Sequence, residues 1–176
     1  ILGEIKDMEK WKEVFGGIIP KAVYQVQLIN GEKQGLTIKL SSSQTCVMIN
    51  FGMVQAVRML DEGIVQSNLY SENEIRKYKD NDFRNIIYEV QDGEFSEQIN
   101  QISDGYGEAL NLKHYVVITQ NYNIDIVART QCSYINYPYF IFFLLDQIFR
   151  IFCQIFPNQY LNKRRKNFLY LYEHDL

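Results

Sequence analysis

The sequence is poor in the residues that most often carry chemistry: it has two histidines, three cysteines, three prolines and one tryptophan in 176 positions. Cys46, Cys132 and Cys153 are odd in number and widely spaced, so they offer neither a disulfide framework nor a CxxC metal knuckle, and a reducing cytoplasm fits them. His114 and His174 have no second His or Cys at ligand spacing, so no transition-metal centre is expected. Phosphate loops are missing too. Gly105-Tyr106-Gly107 lacks the flanking pattern of a cradle and reads as a helix stop with a turn. "SSSQTC" has serines but no GxSxG elbow, and "KDND" fails as a calcium loop because Arg84 takes the next ligand position. No cofactor is expected. The first fifteen residues carry acids from Glu4 onward and no apolar run, so they are not read as a secretory signal. The absence of an initiator Met reads as a fragment or a trimmed chain.

Strong net charge is also lacking. The total is −3, and residues 1–130 hold 13 bases against 18 acids. A mildly acidic body argues against a nucleic-acid binder and permits a basic protein partner.

What is present is secondary-structure patterning. In "DMEKWKEVFGG", Met8, Trp11 and Phe15 have helical spacing and two glycines follow, which predicts a short amphipathic helix. "AVYQVQL" and "LTIKL" alternate around "INGEKQG", and "TCVMINFG" continues them, which predicts an antiparallel meander over 22–51. "MVQAVRMLDEG", with Val54, Val57 and Leu60 on one side and Gly63 beyond, reads as a helix. Ser71 and Glu74 have capping-box spacing, so a helix is expected from Glu72 to about Lys79. "NIIYEV" is a strand. "EFSEQINQIS" sets Phe95, Ile99 and Ile102 at i, i+4, i+7 between Asp92-Gly93 and Asp104-Gly105 and is a helix. "KHYVVITQ" and "IDIVAR" form a second hairpin. Strands joined by hairpins with helices grouped between them predict one α+β domain over 1–130, a mainly antiparallel sheet of about six strands with three to four short helices.

Residues 131–176 differ in kind. Gly, Ala and Val number 25 before Gln131 and none after it, and with Asp and Glu the count is 43 of 130 against 3 of 46. These are the residue types whose codons begin with G, so their loss is what translation outside the selected frame of an AT-rich gene produces. Two other readings stand beside it, a buried helix and a membrane-associated one. The twelve Phe, Ile and Leu residues between Tyr137 and Phe156 favour insertion by roughly 4 to 7 kcal/mol, but Asp146 and Arg150 oppose it by about 3 kcal/mol each. The two cancel. A membrane-associated helix would present Phe140, Phe143, Ile148 and Phe152 to lipid, with Lys163, Arg164, Arg165 and Lys166 against anionic headgroups. On that reading the cytoplasmic chain is peripheral or tail-anchored.

Candidate site residues are few. His114, at the head of a strand, reads more readily as a hydrogen-bonded structural residue than as a catalyst, because general base work needs a neighbouring nucleophile or acid that the sequence does not identify. The acids Asp61, Glu62, Glu72, Glu74, Asp80, Asp82, Asp92, Glu94 and Glu97 would, if they share a face, form an acidic patch suited to a basic protein.

The segments "WKEVFGGIIP", "INFGMVQAVRMLDEGI", "NIIYEVQDGEF" and "KHYVVITQNYNIDIVA" together resemble the small immunity proteins found beside secreted or contact-delivered toxins in bacteria. The resemblance spans residues 8–128. It implies a cytoplasmic, non-enzymatic protein that binds and neutralises a cognate toxin, and it assigns no residue a role. The expected alternatives are a membrane-associated protein held by residues 137–166 and an enzyme using His114.

Overall fold

The alternation over residues 22–51 folds as expected. The computed structural model describes residues 8–64, 69–80 and 83–138. In it β2 (Gln25–Gly31) and β3 (Gly35–Ser41) pair antiparallel across the turn at Gly31 and Gly35, and β4 (Thr45–Gly52) pairs antiparallel with β3. Residues of one parity in β3 and β4 (Leu36, Ile38, Leu40; Val47, Ile49, Phe51) are buried, as a sheet with one packed face requires. A strand in the aromatic tail, β9 (Ser133–Pro138), completes a four-stranded sheet of order β2-β3-β4-β9.

A second, five-stranded sheet has the order β1-β6-β7-β8-β5. It contains β1 (Lys10–Val14), β5 (Val54–Asp61), β6 (Ile87–Gln91), β7 (Lys113–Ile118) and β8 (Tyr122–Ala128), all paired antiparallel. The chain passes from one sheet to the other between β4 and β5, where Gly52 has φ +64°. Close backbone approach explains the glycines there: a Cβ on Gly35 would lie 1.9 Å from the Gly52 carbonyl oxygen.

Two segments expected as helices are strands. Residues 10–14 form β1, because Glu9 and Trp11 both point inward at strand spacing. The charge on Glu9 disguised that period. Residues 54–61 form β5, whose burial alternates strictly. Val54 and Leu60 lie on its half-buried side while Val57 and Met59 lie on its exposed side, so apolar residues in both phases imitate a helical spacing. The architecture is α+β, with nine strands in two sheets among the described residues rather than about six in one.

Two of the helices lie where the sequence set them, and a third was not expected. They are α1 (Glu72–Lys79), α2 (Glu94–Ile102) and a single turn, α3 (Tyr106–Ala109), that periodicity did not announce. Ser71 makes no side-chain cap bond. Glu74 accepts a hydrogen bond from the Trp11 backbone N–H at 3.1 Å instead. The capping-box spacing marked the right start, but tertiary structure took over its carboxylate.

One face of the five-stranded sheet packs on the four-stranded sheet. Ile87, Tyr115, Val117, Ile124 and Ile126 meet Ile38, Leu40, Val47, Ile49 and Phe51 there, with the Phe51 and Tyr115 ring centroids 5.6 Å apart. Burial of each such aliphatic side chain is worth about 1.5 to 3 kcal/mol. The other face carries Trp11, Tyr88, Val90 and Val116 and is covered by α1 through Tyr78. The Phe95 ring of α2 lies 5.8 Å from His114 on the same face.

The chain divides into two units, Ile1–Tyr137 and Pro138–Leu176, so the first extends past the boundary expected at 130. Apart from Pro138, the second lies outside the described residues. With it lie the helical tail, Phe140, Phe143, Ile148, Phe152, the basic run Lys163 to Lys166, and the choice between the frame, membrane and core readings. Among the described residues no helix is long and apolar enough to cross a membrane.

Candidate functional site

Strand register brings His114, Asp125 and Arg58 onto one sheet face. His114 pairs opposite Val127, two residues along β8 from Asp125, and Asp125 pairs opposite Arg58 of β5. Side chains two apart share a face, which gathers the three into a cluster. Asp125 is completely buried. Its Oδ1 accepts from His114 Nε2 at 2.9 Å, and its Oδ2 accepts from Arg58 Nε at 2.9 Å and from the Tyr70 hydroxyl at 3.1 Å. Glu9, 1% exposed, lies in the same layer. Its Oε1 accepts from Trp11 Nε1 at 2.7 Å and from the Ser71 N–H at 2.9 Å. Phe95 roofs the cluster, with the Arg58 guanidinium 4.5 Å from its ring centroid.

The electrostatics separate the two carboxylates. Burial alone would push Asp125 up, but the hydrogen bonds and charges of His114 and Arg58 outweigh it and hold Asp125 below the ordinary carboxylate range. Glu9 has no cation at contact distance among the described residues, so burial dominates and raises it, against the opposing bonds from Ser71 and Trp11. The Tyr70 hydroxyl is raised by burial and by the adjacent Asp125, which keeps it a donor.

This cluster has the components of a His–Asp dyad but not the access of one. His114 is 3% exposed, and its Nδ1 is buried without a hydrogen-bond partner. A Cβ on Gly93 would lie 2.7 Å from that atom. A general base must reach its substrate's proton directly or through one water, and here Phe95 and Gly93 fill the approach. The arrangement acts as a polar tie between β5, β7, β8 and the residue 70 segment. A register slip of one residue would turn Asp125 into the apolar inter-sheet layer, so the tie also fixes register.

The nine candidate acids do not form one patch. Glu74 is buried and leaves the surface: it is bonded to Trp11 and paired with Lys77 at 3.3 Å. Asp82 lies outside the described residues. Glu72 pairs with Arg76 at 3.3 Å. Glu62 and Glu72 line a groove with four cations by the tip of the β7–β8 hairpin, and the Glu62 N–H bonds the Asn121 carbonyl at that tip. Asp61, which ends β5, accepts from the Gly63 N–H at 2.9 Å, and Asp80 is the exposed C-cap of α1. Asp92, Glu94 and Glu97 belong to α2 and its entry turn, beside the opposite end of β7, roughly 17 Å away along the strand.

The stretch of sequence that holds acids without a Lys or Arg is the one that forms α2 and α3. Residues 92–108 carry five carboxylates (Asp92, Glu94, Glu97, Asp104, Glu108) and no Lys or Arg. Two large apolar side chains stand out among them, Ile102 at 77% and Tyr106 at 68% exposure. The two helices are held as one elbow. The Gly105 N–H bonds the Asn100 carbonyl at 2.9 Å, and the Asn100 side chain both accepts from the Glu108 N–H and donates to Glu108 Oε1, each at 3.2 Å. The sequence marked Asp92, Glu94 and Glu97 but not Asp104, Glu108 or the apolar pair, because Ile102 shares the i, i+4, i+7 spacing of Phe95 and Ile99.

Among the described residues no three His, Cys, Asp or Glu side chains are grouped to hold a metal ion. Cys46 and Cys132 are buried free thiols, and burial pushes Cys132 up to about 11. Comparison with protein-family models, with curated proteins and with solved structures gives no match for this chain.

Proposed function

We propose that this protein is a non-enzymatic binding protein of the immunity type, which neutralises a basic cognate toxin by covering it with the α2–α3 elbow. The observation that carries the reading is the pairing of Ile102 and Tyr106 with the base-free acidic segment 92–108. Exposed aromatic and aliphatic side chains within a segment whose charged residues are all acidic have the composition of an interface centre with a polar rim. The carboxylates steer and select a basic partner, and the apolar pair supplies most of the affinity.

The test is co-expression of the full 176-residue chain with the product of each adjacent gene. Protection of the cell and a 1:1 complex with one of those products are expected. Tyr106→Ala should weaken that complex by about 2 kcal/mol, a roughly thirtyfold rise in Kd, as loss of an anchor does. If the chain neither binds nor protects against any neighbouring product, the proposal fails.

A further inference from the structure

Beside α1 the molecule has an open groove of about 850 Å³. It is distinct from the α2–α3 elbow and from the sealed cluster, and its size lies in the range of small-molecule sites. Three separate chain segments bring four cations to it: Lys21, Arg76 and Lys79 on α1, and Arg84. Among the described lining residues two are carboxylates, Glu62 and Glu72. The sequence is net acidic, so this local excess runs against its overall charge.

Part of the excess has an ordinary explanation, since Arg76 and Lys79 complement the C-terminal end of the α1 dipole. That does not account for Arg84, which lies on another segment. The α1 residues facing the groove are Glu72, Ile75, Arg76 and Lys79, one helical stripe at i, i+3, i+4 and i+7. Arg76 is tied to Glu72, whereas Lys79 and Arg84 make no ion pair among the described residues.

The wall contains a second, independent feature. Asn123 of β8 lines the groove at only 8% exposure, and its side-chain amide makes no hydrogen bond to another described residue. Its amide is open to the groove rather than sealed, since the buried side-chain atoms without a partner among the described residues are His114 Nδ1 and the Tyr115 hydroxyl. An amide has both donors and an acceptor to offer, so one that opens only into a groove is a place for a ligand's polar group.

We propose that this groove binds a small oxyanion-bearing molecule, a phosphate or a carboxylate. Its charged group is held by Lys79 and Arg84, and its uncharged body is hydrogen-bonded by Asn123. The site does not depend on the toxin-binding reading, because it uses none of the residues of the elbow.

The test titrates the full chain with pyrophosphate, adenosine 5′-monophosphate, citrate and, as the uncharged control, adenosine. Calorimetry gives the affinity. The fluorescence of Trp11 gives an internal reading, because this one tryptophan lies edge-on to Tyr70, a groove residue, at 5.3 Å between centroids. Saturable binding of an anion with none of adenosine is the expected result. Lys79→Glu and Arg84→Glu, both at exposed positions, should each weaken it by about tenfold, the loss of one charge-assisted hydrogen bond. Preference for the two phosphates over citrate assigns the ligand to the phosphates, and the reverse assigns it to the carboxylates. Absence of saturable binding by all three anions at millimolar concentration overturns the proposal. So does binding that both charge reversals leave unchanged while near-ultraviolet circular dichroism shows the fold intact.

Discussion

Asp125 receives three hydrogen bonds from three separate chain segments and has no exposed surface. Its removal therefore strands a guanidinium, an imidazole and a phenol together. Asp125→Ala should lower stability by about 3 to 5 kcal/mol, as breaking a buried ion pair from one side does. Urea unfolding measures this, and a loss below about 1 kcal/mol would show that water replaces the carboxylate. Glu9 acts in the opposite direction. Its folded value is raised above the ordinary 4.5, so the folded chain holds this proton more tightly than the unfolded one. The stability it contributes is complete below pH 4.5 and is lost as pH rises through the folded value. Asp125 is depressed below 3.8, so its contribution is present above that pH and is lost as pH falls. Glu9→Gln keeps an acceptor for Trp11 and Ser71 and cannot ionise. The variant should gain on the parent as pH rises from 4.5 to 7, and parallel stability curves would refute the assignment.

At the scale of elements, the joint between the sheets rests on two glycines. Gly35 has φ +72° and no room for a Cβ, whereas Gly17 has the same φ and nothing within 4 Å. Both substitutions by Ala carry the left-handed backbone penalty of about 1 kcal/mol, and only Gly35→Ala adds a backbone clash. It should cost at least about 2 kcal/mol more than Gly17→Ala, since overpacking against main chain cannot be relieved by a rotamer change. Equal unfolding midpoints for the two variants would mean that β3 and β4 separate freely. The elements were legible where one face is packed and the other wet, as in β2, β3 and α2. They were misread at β1 and β5. There the deciding residues were a buried carboxylate, Glu9, and apolar side chains in both phases of an edge strand.

At the scale of the whole molecule, two regions of the described residues differ in charge. Segment 92–108, which has five acids and no Lys or Arg in its sequence, forms the α2–α3 elbow by the start of β7, and four cations line the groove by its end. A complex formed through the elbow should associate more slowly as salt rises, because exposed charges are screened beyond about 8 Å at physiological ionic strength. Stopped-flow association of the chain with its partner at rising salt checks this. Glu97→Lys, on the elbow, should slow association, while Arg84→Glu, in the groove, should leave it nearly unchanged. An equal effect of both would place the partner across the two regions.

The sequence by itself determined the class of the fold, most of the strands, the bounds of α1 and the position of α2, because those follow from local periodicity and turn residues acting over a few positions. Asp125 stands inside the apolar stretch "IDIVA", a signal of a buried partner that the strand pattern alone passed over. Only the tertiary structure decided that Arg58, Tyr70 and His114 meet there, that Glu74 turns inward, and that Lys21, Arg76, Lys79 and Arg84 share a groove. These are contacts between residues as far apart as 67 positions in the chain. Strand register and sheet order fix them, and neither is encoded in any short window of sequence.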